Sequence, residues 1–147
     1  MHHPLKHQTL TQLVKFNYHI FDGMYEKEPY SLEQYQERLK GKDPIIFTVK
    51  KDKKLVANSI SFEQDNSFYI WILAVDKNYR GQGIGASLLD KNEQFARENG
   101  YKSVSTKVYN VSKEMKRLLK QRNYKIVKRQ KSKTNSKFTA LIYALEL

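Results

Sequence analysis

The chain has 147 residues, 39% of them apolar, with ten tyrosines, seven phenylalanines, no cysteine and a formal charge of +12. This length suits one domain, residues 1–147, and the apolar and aromatic content excludes a disordered chain. The missing cysteines exclude disulfides and thiolate chemistry, His2, His3, His7 and His19 lack metal-site spacing, and no apolar run of about 18 residues occurs, so a metal-free, soluble cytoplasmic protein is expected.

Residues 9–22 place Leu10, Leu13, Val14, Phe16, Ile20 and Phe21 near helical spacing, with Thr9 as N-cap and Gly23 as the stop. Ser31-Leu32-Glu33-Gln34 has the form of a capping box opening a second helix that ends at Gly41. Three strand patterns follow, 45–50, 55–62 and 68–75, separated by short polar turns that imply an antiparallel meander. The third is apolar on both faces, as a covered central strand requires. A helix is predicted over 83–98, closed by Gly100, then a strand over 102–109. The strand, turn, helix, strand order makes 68–75 and 102–109 a parallel pair with a right-handed crossover. A helix over 112–122 and a hairpin of 124–130 with 137–147 complete the chain. The fold class is α/β in the α+β sense: a mixed, mostly antiparallel central sheet with flanking helices.

The charge is local. Residues 1–112 carry a net of +3, residues 113–137 a net of +10 with Glu114 the lone acid, and the last ten residues −1. A nucleic-acid footprint, a pocket for a small polyphosphate ligand and a solvated face all fit that segment.

The chemistry-bearing stretch is Val75-Asp76-Lys77-Asn78-Tyr79-Arg80-Gly81-Gln82-Gly83-Ile84-Gly85-Ala86, which runs from a buried strand into a helix. Alternate glycines let the backbone turn tightly and approach a ligand. Their amides converge with those of the first helical turn as donors without partners, a ready site for phosphate or pyrophosphate. A Walker A loop is excluded because Ala86-Ser87 follows Gly85 where Lys and Ser/Thr are needed. A Rossmann fingerprint is excluded by the GxGxG spacing and by the strand end Tyr109-Asn110, which carries no acid.

Arg80-x-x-Gly83-x-Gly85, preceded by Leu73-Ala74-Val75, resembles the acyl-CoA-dependent GNAT superfamily of N-acyltransferases, and the order of elements over residues 9–147 is similar to that fold. The family normally begins with a strand before the first helix, for which only about eight polar residues remain here. The resemblance implies acetyl-CoA as co-substrate and no metal. It puts the pyrophosphate on the amides of Arg80, Gly81, Gln82, Gly83, Ile84, Gly85 and Ala86, and the pantetheine arm along Leu73-Ala74-Val75. It makes the amide near Leu73 the oxyanion donor, with Asn110 and Lys116 as further coenzyme contacts.

The family's asparagine and general-acid tyrosine correspond to Ser112 and Leu119, so the usual acid is missing. Tyr109 and Tyr124 are substitutes by type. The base positions hold Tyr69 and Trp71, which leaves Glu63, Asp65, Glu26 and Glu28 as carboxylates acting through water. Lys113, Arg117 and Lys120 share the helix over 112–122 with Lys116, whereas Lys125, Lys128, Arg129, Lys131 and Lys133 exceed what one coenzyme needs. The acceptor is expected between the first two helices and the final hairpin, where the acids and aromatic rings of the loop Phe21–Tyr30 suit a cationic amine. The resemblance thus implies a monomeric or homodimeric enzyme that moves an acetyl group to a primary amine by direct attack. The weaker reading is an inactive module of the same fold that docks on nucleic acid or the ribosome through residues 113–137. The strand-end hairpin at 137–147 would lie at a sheet edge, open to pairing with a second subunit.

Overall fold

The computed structural model describes residues 7–24, 28–131 and 138–147. In chain order the elements are α1 (His7–Phe21), α2 (Leu32–Leu39), β1 (Ile45–Lys51), β2 (Lys54–Gln64), β3 (Ser67–Val75), a 3-10 turn (Lys77–Tyr79), α3 (Ile84–Glu98), β4 (Ser103–Tyr109), α4 (Lys113–Gln121), β5 (Lys125–Lys131) and β6 (Thr139–Glu146). Their six-stranded sheet runs β1-β2-β3-β4-β6-β5. The parallel pair is β3 with β4, in the register Phe68↔Val104, Tyr69↔Ser105, Ile70↔Thr106. β1 with β2, β4 with β6 and β5 with β6 are antiparallel. The segment before α1, where the family normally carries a strand, falls outside the described residues.

Local chemistry explains the boundaries. Ser31 Oγ accepts from the Gln34 amide at 3.2 Å, and Gln34 Oε1 accepts from the Ser31 amide at 2.8 Å, so the capping box forms as the sequence implies. The two meander turns are built on Asp52-Lys53 and Asp65-Asn66, all with positive φ (51° to 68°), the left-handed pair that matches strand twist in a two-residue hairpin. One expectation is overturned. β6 is flanked by β4 and β5, so the sheet edge is β5 and the final strand offers no free edge to a second subunit. Composition gives the reason: TALIYALE is largely covered, whereas KIVKRQK exposes all but Ile126.

The chain forms two compact units that interleave in sequence, Met1–Phe62 with Ile72–Leu88, and Glu63–Trp71 with Leu89–Leu147. In the first, Val56 and Ala57 of β2 pack with Ile84 and Leu88 of α3, joined by Phe47, Val49, Leu73, Val75 and Tyr79. A polar network lies under α1 and α2. Asn58 Nδ2 donates to Asn17 Oδ1 at 2.7 Å and Asn17 Nδ2 donates to the Tyr35 hydroxyl at 3.1 Å. All three residues are buried, and burial pushes the Tyr35 phenol up to about 12. In the second unit Phe68 lies 5.1 Å from the ring of Phe95 and 5.2 Å from that of Tyr101, while Thr106 Oγ1 donates to the Ile70 carbonyl at 2.9 Å.

Candidate functional site

The glycine segment starts where β3 leaves the sheet. The Asp76 amide donates to the Val56 carbonyl at 2.8 Å, tying the strand end to β2. Main-chain groups alternate along a strand, so those of Val75 and Leu73 point away from β2. Accordingly, the Val75 carbonyl accepts from Arg80 Nε at 3.3 Å. Asp76 Oδ1 caps the 3-10 turn by accepting from the Asn78 amide at 2.9 Å. The Tyr79 and Ile84 side chains drop into the same apolar cluster as Leu73 and Val75, fixing the loop at both ends.

Between those anchors Gly81 and Gly83 have φ of 77° and 78°, a region that costs an L side chain about 1 to 2 kcal/mol. A Cβ built on either meets no atom within 4 Å, so the backbone here faces open space. Glycine is required for its conformation and leaves the approach to the main chain clear. The Ser87 amide closes the first helical turn on the Gly83 carbonyl at 3.0 Å. The amides from Gly81 to Ala86 have no partner among the described residues, the set of orphan donors that a helix start presents to an anion. A coenzyme pyrophosphate fits this donor set by charge and by clearance.

In the second unit, Lys116 Nζ donates to the Asn110 carbonyl at 3.1 Å, which brings those two predicted contacts together. The Asn110 side-chain oxygen accepts from the Thr139 amide at 3.0 Å, so much of this residue serves the start of β6. The Tyr109 ring lies 6.0 Å from Phe138. Tyr124 is buried, and its hydroxyl donates to Glu93 Oε2 at 2.8 Å. Burial first, then the Glu93 charge, pushes its phenol far above the usual value. Leu119 is fully buried. Glu63, Asp65 and Glu28 are exposed, and Glu26 lies outside the described residues. Tyr69 is buried and Trp71 half-buried.

Sequence reasoning missed the carboxylate at the centre of the second unit. Glu93, 5% exposed, accepts from Arg122 Nε at 3.2 Å, from Arg122 Nη2 at 2.9 Å and from Tyr124. Arg122 also pairs with Asp90. Hydrogen bonding to Glu93, then to Asp90, outweighs desolvation and holds the guanidinium proton more tightly than usual. Glu93 stands four residues after Leu89 and three before Ala96 on the buried stripe of α3, which is the signal that could have found it. Asn17 likewise continues the spacing of Leu10, Leu13 and Val14.

A family model described as the acetyltransferase (GNAT) family matches residues 10–124. No curated protein matches the chain in sequence. Among solved structures, the ribosomal-protein-S18-alanine N-acetyltransferase from Escherichia coli superposes with a TM-score of 0.77 at 19% identity, covering 97% of this chain and 90% of that one. Ard1 from Thermoplasma volcanium gives 0.75 at 19% identity, covering 92% of each. A GNAT family acetyltransferase from Elizabethkingia anophelis with acetyl-CoA bound gives 0.68 at 19%, covering 80% of this chain and 84% of that one. At these identities the likeness shows a shared fold.

Proposed function

The chain belongs to the acetyltransferase (GNAT) family, and on that premise we propose that it transfers the acetyl group of acetyl-CoA to a primary amine by direct attack. The observation that carries the reading is the run of amides from Gly81 to Ala86 without partners among the described residues, at a helix start where the Cβ side of Gly81 and Gly83 is clear. The structure of the Elizabethkingia relative with acetyl-CoA bound supports the choice of donor, and the N-acetyltransferase from E. coli supports an amine as acceptor. We assign the coenzyme contacts to Leu73, Ala74, Val75 and Arg80–Ala86, with Asn110 and Lys116 as outer contacts.

The coenzyme supplies an activated acyl thioester; the chain supplies position and electrostatics. The amides of Gly83, Ile84, Gly85 and Ala86 neutralise pyrophosphate, and Arg80 holds the Val75 carbonyl so that the strand end keeps its direction. The Leu73 amide, pointing away from β2, is the donor for negative charge growing on the reacting carbonyl oxygen. With Leu119 buried at the usual acid position and the Tyr124 hydroxyl engaged as a hydrogen-bond donor to Glu93, rate comes mainly from holding a neutral amine against the thioester. Family membership favours this enzyme over an inactive binding module. A single domain over residues 1–147 is also proposed, because the division between the two units cuts through β3 and α3.

The test is calorimetric titration with acetyl-CoA, using desulfo-CoA and ATP as controls, followed by an amine panel. Saturable acetyl-CoA binding, with ATP much weaker, together with free thiol released only when an amine is present, supports the proposal. No acetyl-CoA binding overturns it.

A further inference from the structure

Most of the net positive charge falls within the second unit, on α4 and β5, whereas the glycine loop belongs to the first. Lys113, Arg117 and Lys120 follow one another at i, i+4 and i+7, forming an exposed stripe about 10 Å long on α4. β5 then presents Lys125, Lys128, Arg129 and Lys131, all exposed, over about 20 Å of edge strand. The register shift between Ile126 and Lys128 sets Lys125 and Lys128 on one face, opposite Ala144 and Ile142, and Arg129 and Lys131 on the other, opposite Leu141 and Thr139. Cations therefore flank the free edge on both sides.

Among the described residues none of these side chains forms an ion pair, in contrast to Arg122, which Asp90 and Glu93 neutralise. Glu114 is the one acid from Lys113 to Lys131. Charged side chains on an edge strand do protect it from edge-to-edge pairing, but the lysines and arginine on α4 lie off that edge, and like charges packed at this density repel one another in the folded state. A protein partner would need apolar or aromatic anchors at the centre of its contact. The segment offers only Val127, 64% exposed in the bulge, and its one ring, Tyr124, is buried. A phosphodiester chain needs neither anchor nor base contact, only closely spaced cations that displace its counterions.

We propose that the α4–β5 surface binds the phosphate backbone of a nucleic acid without reading its bases. This surface acts independently of the acetyl-transfer reading.

The probes are a labelled single-stranded RNA of about 20 nucleotides and a duplex DNA of the same sequence, followed by fluorescence anisotropy from about 50 to 300 mM salt. Engaging four to six phosphates gives a log–log salt slope of about −3 to −5. The variant Lys125→Glu/Lys128→Glu/Arg129→Glu should weaken binding by about 30-fold or more and flatten the slope by about 2 to 3. The equal charge change Lys40→Glu/Lys51→Glu/Lys54→Glu should shift affinity less than about threefold. Circular dichroism and thermal midpoints establish that each variant folds, and Lys125→Gln/Lys128→Gln/Arg129→Gln, with an intermediate loss, serves if the reversed strand does not. RNA binding tighter than DNA marks RNA as the source of phosphate, and equal binding marks the backbone alone; both support the surface. No saturable binding at the lowest salt, equal losses in both triple variants, or tighter binding of polyglutamate than of either nucleic acid overturns it. An acetyl-CoA titration of the β5 variant that matches wild type keeps this result separate from the enzyme reading.

Discussion

The turn before α3 and the later turns of that same helix handle polar groups in opposite ways. At Gly81–Ala86 the donors are main-chain amides without partners among the described residues, held in place by apolar side chains on either side. Around Glu93 the groups are side-chain ions and a phenol, buried and bonded to one another across 29 and 31 residues of sequence. Orphan donors in water cost little and wait for a ligand, whereas a buried carboxylate must be matched or the fold suffers. The first region is accordingly read as binding machinery and the second as a clamp holding the end of α4 and the start of β5 to α3.

The largest effect on coenzyme binding should come from filling the first region. Gly83→Glu places a carboxylate where the amides would receive pyrophosphate, and acetyl-CoA affinity should fall by at least about 100-fold, equivalent to about 2.7 kcal/mol, while the far-UV circular dichroism keeps its form. Undiminished affinity in calorimetry would detach the coenzyme from this loop.

The reverse pattern is expected from Glu93→Ala. Arg122 and Tyr124 lose their shared acceptor, and breaking a buried pair from one side costs about 3 to 5 kcal/mol in urea unfolding. Acetyl-CoA affinity of the folded fraction should stay within about twofold, since the amides are untouched. Glu93→Gln keeps the shape and part of the hydrogen bonding, so its loss should be smaller. A variant that kept its stability but lost coenzyme binding would merge the two regions into one and refute the contrast.

This contrast also marks how far the sequence could be read. The glycine turn is visible because positive φ at Gly81 and Gly83 demands a particular residue type within a few positions, and the same holds for the Ser31–Gln34 capping box and the Asp52-Lys53 and Asp65-Asn66 turns. Periodicity likewise placed the helices and strands to within a few residues. Glu93, Arg122 and Tyr124 find each other only after α3, α4 and β5 have packed, and no local rule ties one to another. The sheet edge lies between these cases. A hairpin of 124–130 with 137–147 is readable from the chain, but which strand turns outward is decided by burial. The polarity of Lys125–Lys131 carried that answer.

Each unit also holds a buried phenol, and alkaline pH should expose the cost of that arrangement. Tyr35 ionises near 10 when unfolded and about 12 when folded, so between those values the folded chain binds more protons than the unfolded one and stability falls as pH rises. The group's contribution is fully present below pH 10 and lost through pH 12, about 2 to 3 kcal/mol over the window. Tyr124 shifts in the same direction. Urea midpoints compared at pH 9 and pH 11.5 should drop less in Tyr35→Phe than in wild type, the difference between the two removing the shared effect of lysine titration. Parallel pH profiles would show that Tyr35 does not drive the loss.

Gly83→Ala makes the smallest change and separates the two properties that glycine brings to the loop. The added methyl meets no atom within 4 Å, so any cost comes from φ of 78° and amounts to about 1 to 2 kcal/mol of stability. If the amides keep their directions, acetyl-CoA affinity should fall by less than about tenfold, far short of the Gly83→Glu loss, because a methyl brings neither the reach nor the charge of a carboxylate. A stability loss with nearly intact binding would show that glycine is needed at this position for the shape of the turn. Binding lost as completely as with glutamate would instead mean that the ligand lies against the Cα itself, and that the clearance at Gly83, more than its conformation, is what the coenzyme uses.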